Sequence, residues 1–247
     1  MTRFDDFNRP RSDNKTRHAR KRILVVTEGA VTEPEYFEAI KIQFELRKNQ
    51  LDVQIEKSTS HDGNMPTQIV SSAIRLRDEA ASRQEEQDKL DNLESRESYD
   101  AVWVVFDTER EDGRRIDLKP AAEHANKNQI GVAISRPSFE CWFLLHLRDG
   151  LSSGMATCDD VCKAISKETV LQFGRKYSKT SKNNADLKWI IAQIMPSTGT
   201  AIQRAHRHEA VAFMSHTLVP DNPGTKVHKL VSELWNSSKM GGKSPII

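Results

Sequence analysis

Cysteine is scarce: Cys141, Cys158 and Cys162 are the only three in 247 residues. An odd, sparse count excludes a disulfide framework, and a zinc site read from spacing needs more ligands at better intervals. Cys158 and Cys162 stand at i,i+4 and can face one way on a helix, but two further ligands are not evident. They read as packing residues. Long apolar runs are also lacking, so no segment of the roughly eighteen residues needed to span a membrane is expected. The N-terminus is polar and basic with no apolar h-region, which argues against a secretory signal and makes the cytoplasm the expected compartment. Neither a G-x-G-x-x-G nor a Walker-type phosphate loop occurs, so an ATPase activity of its own is not expected.

What is present is unevenly placed charge. The net charge is only +2, yet the first stretch, MTRFDDFNRPRSDNKTRHARKR, holds Arg3, Arg9, Arg11, Lys15, Arg17, Arg20, Lys21 and Arg22 against three aspartates. A solvated, disordered tail and an arm that neutralises nucleic-acid phosphates both fit this composition. Residues 1–21 are read as a basic arm, expected to be disordered.

The rest alternates. RILVVT at 22–27 is a short apolar run without polar alternation, as in a strand buried on both faces. Residues 33–49 follow with Pro34 near the first turn and Phe37, Ile40 and Phe44 at helical spacing, while Ile42 and Leu46 fall off that stripe and suggest a helix covered on more than one side. LDVQIEK at 51–57 alternates like a strand, and a helix is expected over 67–83. Its continuation at 84–98 reads as an exposed helix end or a loop. YDAVWVVF at 99–106 is the clearest strand, followed by a short helix near 117–127 and the strand IGVAIS at 130–135. This order predicts an α/β core over 22–136 with a mainly parallel four-stranded sheet flanked by helices. After Pro137 helices are expected at 139–147, 158–169, 183–195, 198–215 and 224–237, giving a helical C-terminal region, 137–247, packed on the core.

Ligands of parallel α/β sheets gather outside the carboxyl ends of the strands. Glu28 ends the first strand, and Asp107 and Glu109 end the third, so these acids should face one crevice although they are far apart in sequence. Carboxylates so gathered repel one another unless a hard cation such as Mg²⁺ or Mn²⁺ is held between them, and such a cation supports phosphoryl-transfer chemistry. Gly29 lets the backbone turn tightly there. Ordinary loop acids that cap helices are the plain alternative.

A strand ending in Glu-Gly followed later by a strand ending in Asp-x-Asp resembles the Toprim domain of primases, topoisomerases and overcoming-lysogenization-defect nucleases, with Glu109 here in place of the second aspartate. The longer motifs EGAVTEPEYF at 28–37, VVFDTE at 104–109, SRPSFECWFLLH at 135–146 and NPGTKVHKLVSEL at 222–234 resemble the RloB family of phage-defence proteins, found near restriction–modification genes. That resemblance spans about residues 22–236. It implies a Toprim/Rossmann-like core and a Mg²⁺-dependent (or Mn²⁺-dependent) nuclease acting on DNA or RNA, with restriction–modification or other defence proteins as partners. By it, Glu28 is the general acid/base or first metal ligand, and Asp107 and Glu109 hold the metal. Glu33 matches the second glutamate of EGxxTEP; a helix-dipole charge is its other reading. Glu140 matches the SFE motif, where a carboxylate beside Phe139, Cys141 and Trp142 needs a metal or a base as partner.

Further residues are candidates for nucleic-acid binding. Arg136 closes the fourth strand and suits a phosphate. RKYSKTSK offers Lys176, Lys179 and Lys182 around Tyr177, a mix suited to a backbone with one stacked base, or to a solvated loop; the family tends to show a Tyr-x-Lys here. Arg17 and Arg20 belong to the arm. His146 reads as a core histidine, Trp103, Trp189 and Trp235 as core or half-buried anchors, and the histidines of RAHRHE, at i and i+2, as unsuited to share a metal. A non-catalytic module that holds nucleic acid or a nucleotide remains the competing reading.

Overall fold

The computed structural model describes residues 21–58, 65–91, 98–108, 114–180, 184–211 and 222–238. Its elements run β1 (Lys21–Thr27), α1 (Thr32–Gln43), β2 (Leu51–Lys57), α2 (Pro66–Asp91), β3 (Ala101–Asp107), α3 (Arg114–Lys127), β4 (Gly131–Arg136), α4 (Glu140–Leu147), α5 (Cys158–Phe173), α6 (Ala185–Ile194), a 3-10 turn, α7 (Thr198–Val211), β5 (Gly224–Thr225) and α8 (Val227–Ser237).

The strands form one sheet in the order β2-β1-β3-β4-β5. The first four are mutually parallel, and β5 runs antiparallel to β4 through Ser135 and Thr225. Successive side chains of a strand point to opposite faces, and here both faces are dry. Ile23, Val25, Val105 and Ala133 enter one apolar cluster with α1 and the helices after Pro137. Leu24, Val26, Val104, Phe106, Val132 and Ile134 enter another with α2 and α3. Burial on both sides is what the unbroken apolar runs required. The first cluster draws residues from both halves of the chain, so the helical region completes the core on one face of the sheet.

Four expected strands are present, but the sheet has five. A two-residue strand carries no periodicity, and the helix expected from 224 starts at Val227 instead. The first helix also ends earlier than expected, at Gln43. The chain then turns, with Glu45 and Gln50 at φ of 49° and 61°. Leu46 is buried by that turn, whereas Ile42 stays 78% exposed. The off-stripe residues thus mark a turn and a surface position, not a second covered face. Helix α2 absorbs much of the stretch expected as helix end or loop, reaching Asp91.

Two features fix the helices that carry polar groups. Pro137 follows β4, and α4 behind it is buried along its whole length. Helix α5 opens on a capping box, in which Thr157 Oγ1 accepts from the Asp160 N–H and Asp160 accepts from the Thr157 N–H, and it stops at Gly174, whose φ of 66° favours glycine. Among the described residues no helix is long and apolar enough to cross a membrane.

Candidate carboxylate site and its surroundings

Parallel pairing of β1, β3 and β4 puts three carboxyl ends side by side. Thr27 lies opposite Val105, and Asp107 opposite Ser135. Glu28 follows directly: its N–H donates to the Val105 carbonyl at 2.9 Å, and its Oε2 accepts from the Asp107 N–H at 3.0 Å. The first and third strand ends are therefore tied by one carboxylate.

Glu33 enters from the first turn of α1 and is only 5% exposed. Its Oε1 accepts from the Gly29 N–H at 3.3 Å. A Cβ on Gly29 would stand 2.0 Å from Glu33 Oε2, so any larger residue there would have to move the Glu33 carboxylate from its present place. Glu140 opens α4 and is 1% exposed. Lys179 Nζ lies 3.0 Å from Glu140 Oε1 as an ion pair.

These acids feel one another. Asp107 keeps some exposure as a residue, but its Oδ1 is buried and has no hydrogen-bond partner among the described residues. Burial raises the Asp107 carboxyl well above its ordinary range, and the charges of Glu33, Glu140 and Glu28 raise it further. Burial likewise pushes Glu33 up to about 7, with Glu140 and Glu28 adding and two backbone N–H groups working against them. Neutral protonation, or a cation, is the physical answer to such crowding. Lys179 supplies one positive charge at the Glu140 side. Burial alone would lower its pKa, but Glu140 and the Cys158 sulfur outweigh that and keep the ammonium protonated.

Of the residues expected at the site, Glu28, Glu33, Asp107 and Glu140 thus lie within electrostatic reach of one another. Glu109, Arg17, Arg20 and Lys182 lie outside the described residues. Arg136 is partly buried at the end of β4, and Lys176 is exposed. Tyr177 is 3% exposed and belongs to the core cluster, so the basic-aromatic reading of this segment needs correcting: its ring is not available to stack on a base. His146 behaves as a core histidine, with Nδ1 2.9 Å from the Trp142 carbonyl and its pKa lowered to about 4 by burial. Trp103, Trp189 and Trp235 are partly buried against the core.

Two arrangements escaped the sequence reading. Cys158 and Cys162 are joined by Glu140, and the three ligand atoms lie within 4.8 Å of one another. His206, Glu209 and His228 form a second such group. His206 groups with Glu209, one helical turn on, and not with His208. His228 comes from the NPGTKVHKL motif, and its Nε2 is 2.9 Å from Glu209 Oε2. The i,i+3 spacing was a usable signal; the contact with His228 was not.

The family model described as RloB-like protein matches residues 23–234, and the chain belongs to that family. No curated protein and no solved structure matches it.

Proposed function

With membership of the RloB-like family as premise, we propose that this chain is a Toprim-class, divalent-metal-dependent phosphodiesterase cleaving DNA or RNA in bacterial defence. The observation that carries this reading is Asp107: a buried carboxylate oxygen at a strand's carboxyl end, without a hydrogen-bond partner among the described residues and beside Glu28, Glu33 and Glu140. The residues fit a hard cation. Oxygen donors of high negative charge density are what Mg²⁺ and Mn²⁺ prefer, with water and substrate phosphate completing the shell.

Glu28 and Asp107 are the residues assigned to hold the metal, with Glu109 as an expected third and Glu33 and Glu140 on the wall. When bound, the cation would supply Lewis-acid activation of water and neutralise charge at the scissile phosphate. The protein's own contribution is positional and protonic. The Asp107 N–H fixes the Glu28 carboxylate. The Gly29 N–H fixes Glu33, whose pKa near 7 suits it to hold or release a proton at working pH. Lys179 and Arg136 stand at the same end of the sheet to meet phosphate oxygens, and Lys176 lies exposed nearby in sequence.

The test is direct. Purified full chain is incubated with plasmid, single strands and transfer RNA, with Mg²⁺ or Mn²⁺. Metal-dependent cleavage that disappears in Glu28→Gln and Asp107→Asn is the expected result. Cleavage that survives both substitutions places the activity elsewhere. One observation favours a second reading, a binding module without catalysis: the Glu140 carboxylate already has the Lys179 ammonium as counter-ion. Such a module would bind nucleic acid and gain no stability from divalent cations.

A further inference from the structure

Cys158 and Cys162 are the feature that the carboxylate site leaves unexplained. Packing accounts poorly for them. Cys158 is 5% exposed and Glu140 is 1% exposed, and the Cys158 Sγ donates to Glu140 Oε2 at 3.6 Å while Cys162 Sγ lies 3.9 Å from Cys158 Sγ. Two thiols around a buried carboxylate are a polar cluster, not an apolar contact. Lys179 Nζ sits 3.0 Å from Cys158 Sγ and 3.0 Å from Glu140 Oε1, so a positive charge is already seated against two of the three.

The distances decide what else could sit there. A tetrahedral ion with bonds of about 2.3 Å to sulfur and about 2.0 Å to oxygen sets its sulfur–sulfur edge near ~3.8 Å and its sulfur–oxygen edge near ~3.5 Å. The two edges measured here, 3.9 and 3.6 Å, match those values within about 0.1 Å. The third is under 4.8 Å. Thiolate donors select zinc-class cations over Mg²⁺.

We propose that Glu140, Cys158 and Cys162 form a binding site for a thiophilic divalent cation of the zinc class. Three protein ligands leave a fourth position for water or substrate. Binding displaces the thiol protons to solvent and moves the Lys179 ammonium, whose side chain is 39% exposed, outward into water. No electron transfer is involved. The site shares Glu140 and its counter-ion Lys179 with the carboxylate pocket and stands whether or not that pocket cleaves nucleic acid.

The experiment uses the full chain, stripped of metal with a chelator, kept reduced and titrated with Co²⁺. One equivalent is expected to produce a thiolate-to-cobalt charge-transfer absorption, abolished by Zn²⁺ and untouched by millimolar Mg²⁺. Cys158→Ser and Cys162→Ser should each remove the band and weaken Zn²⁺ binding, read by competition with a chromophoric chelator, by at least the roughly hundredfold that loss of a residue supporting a metal ligand can cost. Lys179→Met keeps the stem, removes the competing ammonium and is expected to tighten Co²⁺ binding several-fold. That direction decides the matter even if a serine variant fails to fold. The proposal is overturned by absence of the band, by a band that persists in Cys158→Ser, or by Co²⁺ binding that is unchanged or weaker in Lys179→Met. Mg²⁺-dependent cleavage is not a readout here, so this result and the nuclease result can fail separately.

Discussion

The strand-end pocket and the cluster between α7 and α8 place glutamates in opposite electrostatic settings. Glu33 is surrounded by other acids and is pushed up to about 7, chiefly by burial. Glu209 is also penalised by burial, but hydrogen bonds from Lys226 and Lys229 and the charge of His228 overcome this and hold it at about 2. Lys229 Nζ lies 3.1 Å from its Oε1, and Lys226 donates to the same oxygen. One carboxylate is met by cations within the protein; the other is held by backbone N–H groups and faces other acids. A half-buried acid with its own bases supports the fold, whereas acids left to repel one another at a strand end mark a place where a cation or substrate is expected.

The largest effect should separate the two regions by activity. Asp107→Asn is expected to lower metal-dependent cleavage by roughly 10²- to 10⁴-fold, with folding retained because the amide is isosteric. Glu209→Gln should leave turnover near wild type but destabilise the fold by about 1.5–3 kcal/mol, since charge-assisted hydrogen bonds to Lys226 and His228 are lost. Chemical denaturation and single-turnover cleavage on both variants check this. Equal loss of activity in the two would erase the distinction.

Divalent cation should act on one region only. Mn²⁺ at about a hundred times its dissociation constant stabilises a protein that binds it by about 2.7 kcal/mol, read as a rise in melting temperature. That rise should vanish in Asp107→Asn and persist in Glu209→Gln.

The pH profiles should run in opposite senses. The folded pKa of Glu33 is above its ordinary value of 4.5, so in the metal-free protein it contributes stability below about pH 4.5 that is lost as pH rises through about 7. Glu209 is depressed, so its contribution is present above about pH 4.5 and is lost as pH falls through about 2. Glu33→Gln should flatten the first limb and Glu209→Gln the second, in denaturant midpoints measured across pH. The smallest effect belongs to Lys176→Ala. If this exposed lysine meets a phosphate, the variant should bind nucleic acid a few-fold more weakly and reduce the salt slope by about one.

Much of the core was legible because burial on both faces forces long apolar strands, and RILVVT and YDAVWVVF have no other ready explanation. The positions of Glu28 and Asp107 were legible for the same reason: an acid closing such a strand is at the crevice by geometry. Glu140 was singled out by the resemblance of its SFE motif, and its apolar neighbours showed that it needs a partner. The reason for Gly29 was not, since only the fold shows the Glu33 carboxylate lying where its Cβ would be. Tyr177 misled because its charged neighbours made it look exposed, while its own ring completes the core. The groups around Cys158 and His228 each add a residue from a separate helix to a pair one turn apart, and only the pair leaves a spacing to read. β5 is too short to carry a pattern.

Anomalous diffraction from crystals grown with Mn²⁺ tests the central claim most directly. The predicted result is a peak within about 2.0–2.6 Å of carboxylate oxygens of Glu28 and Asp107. A peak only at Glu209 and its histidines, or none at saturating Mn²⁺, would contradict it.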